Sequence, residues 1–115
     1  MKAIDFLIPG ETAIVVFTDG LNLTIRPNGT GASGNWIINP RRQADKIIIY
    51  RRDTKDTRII NEILIGQHNG VSGPTPDDNR RYIVAFIDLK SHGTTNMNWS
   101  EFASTGSAPV RYLTK

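Results

Sequence analysis

Ile47, Ile48 and Ile49 are three consecutive apolar positions inside the run Lys46 to Arg51. An extended chain sends successive side chains to opposite faces, so this run has no wet side and must be covered on both. It reads as a central strand. The remainder of the chain is built the same way, from short apolar runs separated by Gly, Pro, Asn and Asp, with almost nothing at helical spacing. The pattern predicts a mainly β fold (α+β at most): about seven short strands and one or two short helices in a small open barrel, with a β-sandwich as the alternative.

Several elements can be placed locally. Ala13 to Thr18 and Leu21 to Ile25 flank Asp19-Gly20, a two-residue loop suited to a tight hairpin. Trp36 to Ile38 is a short strand stopped at Pro40, whose ring removes a ladder donor. Lys46 to Arg51 and Arg58 to Ile65 are two strands joined by a polar turn at Asp53 to Asp56, and Tyr82 to Leu89 is the last long strand. Gly66 to Asn79, with three glycines and two prolines, reads as a long surface loop. Asn98 followed three positions on by Glu101 is a capping pattern for one helical turn through Phe102, and Pro109 to Leu113 returns as an edge strand.

A chain of 115 residues lies within the range of one domain and can bury a core of its own, so a single domain over residues 1–115 is expected. There are no cysteines, which excludes disulfides and thiolate metal sites. The start MKAIDFLIPGE has neither the apolar length of a membrane span nor the pattern of a signal peptide. A soluble, cytoplasmic protein with no membrane association is the expectation.

Charge is unevenly placed. Between Trp36 and Arg58 stand Arg41, Arg42, Lys46, Arg51, Arg52, Lys55 and Arg58 against Asp45, Asp53 and Asp56, a surplus of four positive charges in a chain of formal net charge +3. The rest is near neutral. Two aromatics, Trp36 and Tyr50, lie within the same segment. Clustered cations beside ring faces are what an anionic, planar partner requires, which points to nucleic acid or a nucleotide. The preference for Arg over Lys among the 14 basic residues suits bidentate phosphate contacts and stacking. Strand alternation sends Arg51 and Arg52 to opposite faces, whereas Arg41 and Arg42 follow Pro40 in a loop and can turn together. Trp36 and Tyr50 each have two readings, core packing or ligand contact.

Catalytic chemistry has little to stand on. Gly29 to Gly34 spells GxGxxG, but the following Asn35-Trp36-Ile37-Ile38 and Pro40 cannot form the helix of a dinucleotide-binding unit, so the segment is expected to be a solvated connection. His68 and His92, each in a polar stretch beside Gly, show no metal-ligand spacing. Asp77 and Asp78 precede Arg80 and Arg81 and read as a local charge cluster. No catalytic residue, metal or cofactor is nominated.

The order of Trp36, then Asp45 ahead of an apolar strand ending in Tyr50, then a polar turn and the strand from Ile59 to Gly66, resembles the PUA-like superfamily, especially its EVE-type domain. The likeness covers Trp36 to Leu89, with Ala44 where the family carries Gly before Asp. It implies a pseudobarrel that holds nucleic acid, often a modified or flipped base, in an aromatic-lined pocket, with Trp36 and Tyr50 as pocket residues. The functional expectation is therefore a nucleic-acid or nucleotide binding module in which Arg41, Arg42, Arg51 and Arg52 contact phosphate while Trp36, with Trp99 or Tyr50, supplies a stacking face. The alternative is a protein interaction or inhibitor module, acting as a homodimer or through a protein partner at a sheet edge, with a small-ligand enzyme behind it.

Overall fold

The computed structural model describes residues 1–52 and 61–115. The expected turn at Asp53 to Asp56 and the start of the strand expected from Arg58 lie outside the described residues. Among the described residues seven strands follow one another: β1 (Thr12–Thr18), β2 (Leu23–Ile25), β3 (Gly31–Ile37), β4 (Lys46–Arg52), β5 (Asn61–Ser72), β6 (Arg81–Thr95) and β7 (Val110–Thr114). One α-helical turn, α1 (Trp99–Phe102), precedes β7, and a 3-10 turn spans Ala3–Phe6. The strands form one open mixed sheet in the order β2-β3-β6-β5-β4-β1-β7. The fold is mainly β, with strands at both edges rather than a closed ring, and it is one sheet rather than the two of a sandwich.

β4 is central, as its isoleucines require, with β1 parallel on one side and β5 antiparallel on the other. Alternation then sorts the side chains. Ala13, Val15, Ile48, Tyr50, Ile63 and Ile65 face one way, and Ile14, Val16, Ile47, Ile49 and Leu64 face the other. The second face is closed by the sheet itself. Register shifts between Glu62 and Leu64, Ile65 and Gln67, and His68 and Val71 bend the long β5-β6 ribbon. The bend brings Val84 and Phe86 of β6 and Trp36 of β3 over the isoleucines. The first face is closed instead by Ala3, Leu7, Phe102 and Ala103 from the two short helical turns.

Three local expectations are corrected. β1 and β2 do not form a hairpin, because β1 pairs with β4 and β7 while β2 pairs with β3. The Asp19-Gly20 segment folds on itself: Thr18 Oγ1 accepts from the Gly20 N–H at 3.0 Å, Asp19 Oδ1 accepts from the Leu21 N–H at 3.1 Å, and Asn22 takes a φ of 57°. Those side-chain turns carry the chain away from β1. The glycine-rich segment is a strand from Gly31, not a solvated connection. The turn falls earlier, at Pro27 to Gly29, and a Cβ on Gly31 would stand 2.0 Å from the Thr24 carbonyl and 2.8 Å from the Phe86 ring. Glycine is there for close packing. Finally, the expected loop at Gly66 to Asn79 is mostly strand, since β5 runs to Ser72 in antiparallel pairing with β6. His68 and His92 consequently lie on β5 and β6.

The capped turn and the final edge strand stand as expected. Asn98 Oδ1 accepts from the Glu101 N–H at 2.9 Å, and β7 pairs with β1 at the end of the sheet. No helix among the described residues is long and apolar enough to cross a membrane.

Candidate functional site

On the face covered by the short helical turns, the aromatic rings do not fill the space available. Phe17 at the end of β1 stacks on Tyr50 of β4 with centroids 5.6 Å apart, and Trp99 closes against both, 5.7 Å from Phe17 and 5.6 Å from Tyr50. Phe102 packs behind Tyr50 at 5.3 Å. Beside these rings opens a pocket of about 490 Å³, with Arg52, Asn61 and Asn96 contributing polar groups to its lining. That size suits a small organic ligand.

The parallel pairing places Phe17 beside Tyr50 in register, and Arg52, two residues beyond Tyr50, projects on the same face. Arg52 is directly opposite Asn61 on β5. α1 holds Trp99 over the pair, because its cap at Asn98 starts the helix one residue earlier. Two hydrogen bonds lock the rings: the Tyr50 hydroxyl donates to the Met97 carbonyl at 2.6 Å, and Trp99 Nε1 donates to the Ala108 carbonyl at 2.8 Å. Burial pushes the Tyr50 phenol above its ordinary pKa, and the positive charge of Arg52 pulls it partly back. A neutral ring next to a guanidinium results.

Asn61 is the least conventional member of the lining. It is 2% exposed, and its Oδ1 is buried with no hydrogen-bond partner among the described residues. Sequence reasoning missed it. A polar residue opening a strand of isoleucine and leucine was the available signal, since such a residue on a core face demands a partner.

Three of the seven nominated residues, Tyr50, Arg52 and Trp99, are thus brought together. The other four lie elsewhere. Trp36 is 8% exposed in the cluster on the opposite face, where its Nε1 donates to Ser33 Oγ at 3.0 Å. Arg51 projects to that side as well and pairs with Glu62 on β5. Arg42 lies with its guanidinium 4.1 Å from the centroid of the Tyr112 ring, a cation–π contact, and Arg41 is exposed beside it. Tyr112 stands in the row of Ile14 and Ile47, so the Arg42 contact is five residues, roughly 16 Å, along β4 from Arg52.

Among the described residues, no acidic side chain lines this pocket. Asp78 is held at about 2 by its hydrogen bonds to Arg80, in the local charge cluster read from the sequence. No group of three or more His, Cys, Asp or Glu among the described residues could hold a metal ion. No family model, curated protein or solved structure matches the chain.

Proposed function

We propose that this protein is a nucleotide-binding module whose site is the pocket between Phe17, Tyr50 and Trp99. It takes a free nucleotide or a single nucleotide presented by a nucleic acid, including a flipped or modified base. The observation that carries the reading is the combination of three converging rings with the exposed guanidinium of Arg52 on one 490 Å³ pocket. Aromatic faces accept a base by stacking, and a guanidinium at the same opening accepts its phosphate. The proposal keeps the PUA-like resemblance for Tyr50 as a pocket residue, with Trp99 rather than Trp36 as its stacking partner.

The mechanism is equilibrium binding with no bond made or broken. Tyr50 and Trp99 are held by internal hydrogen bonds before a ligand arrives, so little side-chain ordering opposes association. Calorimetric titration with the four ribonucleoside 5′-monophosphates tests it. Binding that weakens in Trp99→Ala and Arg52→Ala supports the reading. No binding at millimolar nucleotide, or undiminished binding in Trp99→Ala, overturns it, and concentration-dependent sedimentation would then favour the interaction-module alternative.

A further inference from the structure

At the other end of β4 from Arg52, the same face of the sheet carries a second pocket, of about 500 Å³, which the nucleotide reading leaves unused. Lys46 of β4 and Gln67 of β5 stand directly opposite each other there, and Lys90 of β6 stands opposite Ile65, a residue of the face covered by the short helical turns. Lys46 and Arg52 are the two ends of β4, roughly 20 Å apart, so the pockets are separate. Phe6 of the 3-10 turn supplies an apolar wall, with the His92 ring edge-on to it at 5.7 Å. Asp88 of β6 completes the polar lining.

Two observations single out Asp88 and Lys90. Their opposite charges line one pocket, yet they do not pair: the ion pairs among the described residues join Lys46 to Glu11, Arg51 to Glu62, and Asp78 to Arg80 and Arg81. Asp88 also holds a φ of 53°, at a bulge where β6 runs from Ile87 to Lys90 while β5 runs only from Ile65 to Gln67. Glycine is the default residue at a left-handed bulge position, and any side chain there carries a conformational cost. The bulge thus holds a carboxylate on the pocket where the backbone alone would favour none.

We propose that this second pocket binds a small zwitterion, an α-amino acid with an apolar side chain, its ammonium group on the Asp88 carboxylate, its carboxylate on the Lys90 ammonium and its side chain against Phe6. The proposal goes beyond the nucleotide reading and does not depend on it. Charge decides the ligand class. Glu11 offsets Lys46 at 3.0 Å, which leaves Asp88 and Lys90 as one uncommitted charge of each sign. A simple anion on Lys90 would face Asp88, and a simple cation on Asp88 would face Lys90. A molecule with both charges on one carbon satisfies both, through hydrogen bonds that are charge-assisted at each end.

Calorimetric titration of the full chain with three ligands tests it: leucine, 3-methylbutylamine, which lacks the carboxylate, and 4-methylpentanoate, which lacks the ammonium group. Leucine is expected to bind about tenfold more tightly than either of the others, the size of one charge-assisted contact, and equally well in Trp99→Ala. No binding at millimolar leucine, or equal affinities for all three, would overturn the proposal; loss of leucine binding in Trp99→Ala would place the ligand in the aromatic pocket and overturn it as well. Asp88→Gly supplies a second readout. Glycine takes the left-handed φ without strain, so this variant is expected to melt no lower than the native protein while losing leucine binding. A clearly lower melting temperature would show that Asp88 is held for structural reasons, and undiminished binding would remove it from the site; either result ends the proposal.

Discussion

Trp36 and Trp99 lie on opposite faces of one sheet, and the two faces are closed by different means. Over Trp36 the sheet bends back on itself, so Ile14, Val16, Ile47 and Ile49 meet Val84 and Phe86 in a cluster built from strands alone. Over Trp99 the cover is two short helical turns, which contribute Leu7, Phe102 and Ala103 but do not reach the end of the strands where Phe17 and Arg52 stand. A strand-built cover continues along the ladder and buries the isoleucines, leaving a hollow of about 430 Å³ only at its end, where Trp36 meets Asn35 and Arg81. A one-turn helix covers only its own footprint, so aromatic surface beyond it stays open to a ligand. Trp36 is mostly core with only its rim on a hollow, whereas Trp99 is half-buried and walls the aromatic pocket.

Truncation should expose that asymmetry most strongly. Phe86→Ala, in the closed face, is expected to cost about 3–5 kcal/mol in urea unfolding, the range for a large buried aromatic. Trp99→Ala, whose ring is half-buried, should cost only about 1–2 kcal/mol of stability. Its nucleotide affinity should nonetheless fall by about 1–3 kcal/mol. A stability loss in Trp99→Ala equal to that of Phe86→Ala would erase the distinction between the faces. A smaller effect separates the arginines. Arg52→Ala should weaken nucleotide binding by about 1 kcal/mol, while Arg41→Ala with Arg42→Ala leaves it within error, since Arg42 is occupied with Tyr112 on the other side. The reverse order in a titration would move the site to the loop.

The smallest expected effect concerns the bend that closes the Trp36 face. His68 lies on β5 where the ribbon shifts register; its Nδ1 accepts from the Gly70 N–H at 3.3 Å and its Nε2 is buried without a partner among the described residues. Burial lowers its pKa below the ordinary 6.5, so the unfolded chain binds the proton more tightly than the folded one. Its contribution is therefore full above pH 6.5 and is lost as pH falls from there through the lower folded value. Melting temperatures measured between pH 7.5 and 5 should decline, and His68→Gln should flatten that slope.

Much of the architecture was legible residue by residue. The triple isoleucine announces a strand covered on both faces, Asn98 with Glu101 announces the capped turn that carries Trp99, and strand alternation alone separates Arg51 from Arg52. Each of those signals is local. The Asp-Gly hairpin misled because that dipeptide specifies a turn but not the partner beyond it, and Thr18 and Asp19 capture the backbone themselves. The glycine-rich stretch misled because a small residue in a strand and a small residue in a loop look alike until Phe86 and Thr24 are seen pressing on Gly31. Asn61 was overlooked because its burial depends on neighbours from β4, β6 and α1.

What the sequence by itself determined was the β content, the central position of β4, the two-faced sorting of its side chains and the local excess of positive charge. Tertiary structure alone decided that β1 lies parallel beside β4, that the β5-β6 ribbon bends over one face, and hence that Tyr50, Arg52 and Trp99 share a pocket from which Trp36, Arg41 and Arg42 are absent. The reason is the range of the forces. Alternation and capping act over two to four residues, whereas strand neighbours are chosen by pairing across dozens of residues, and only that choice says which side chains meet.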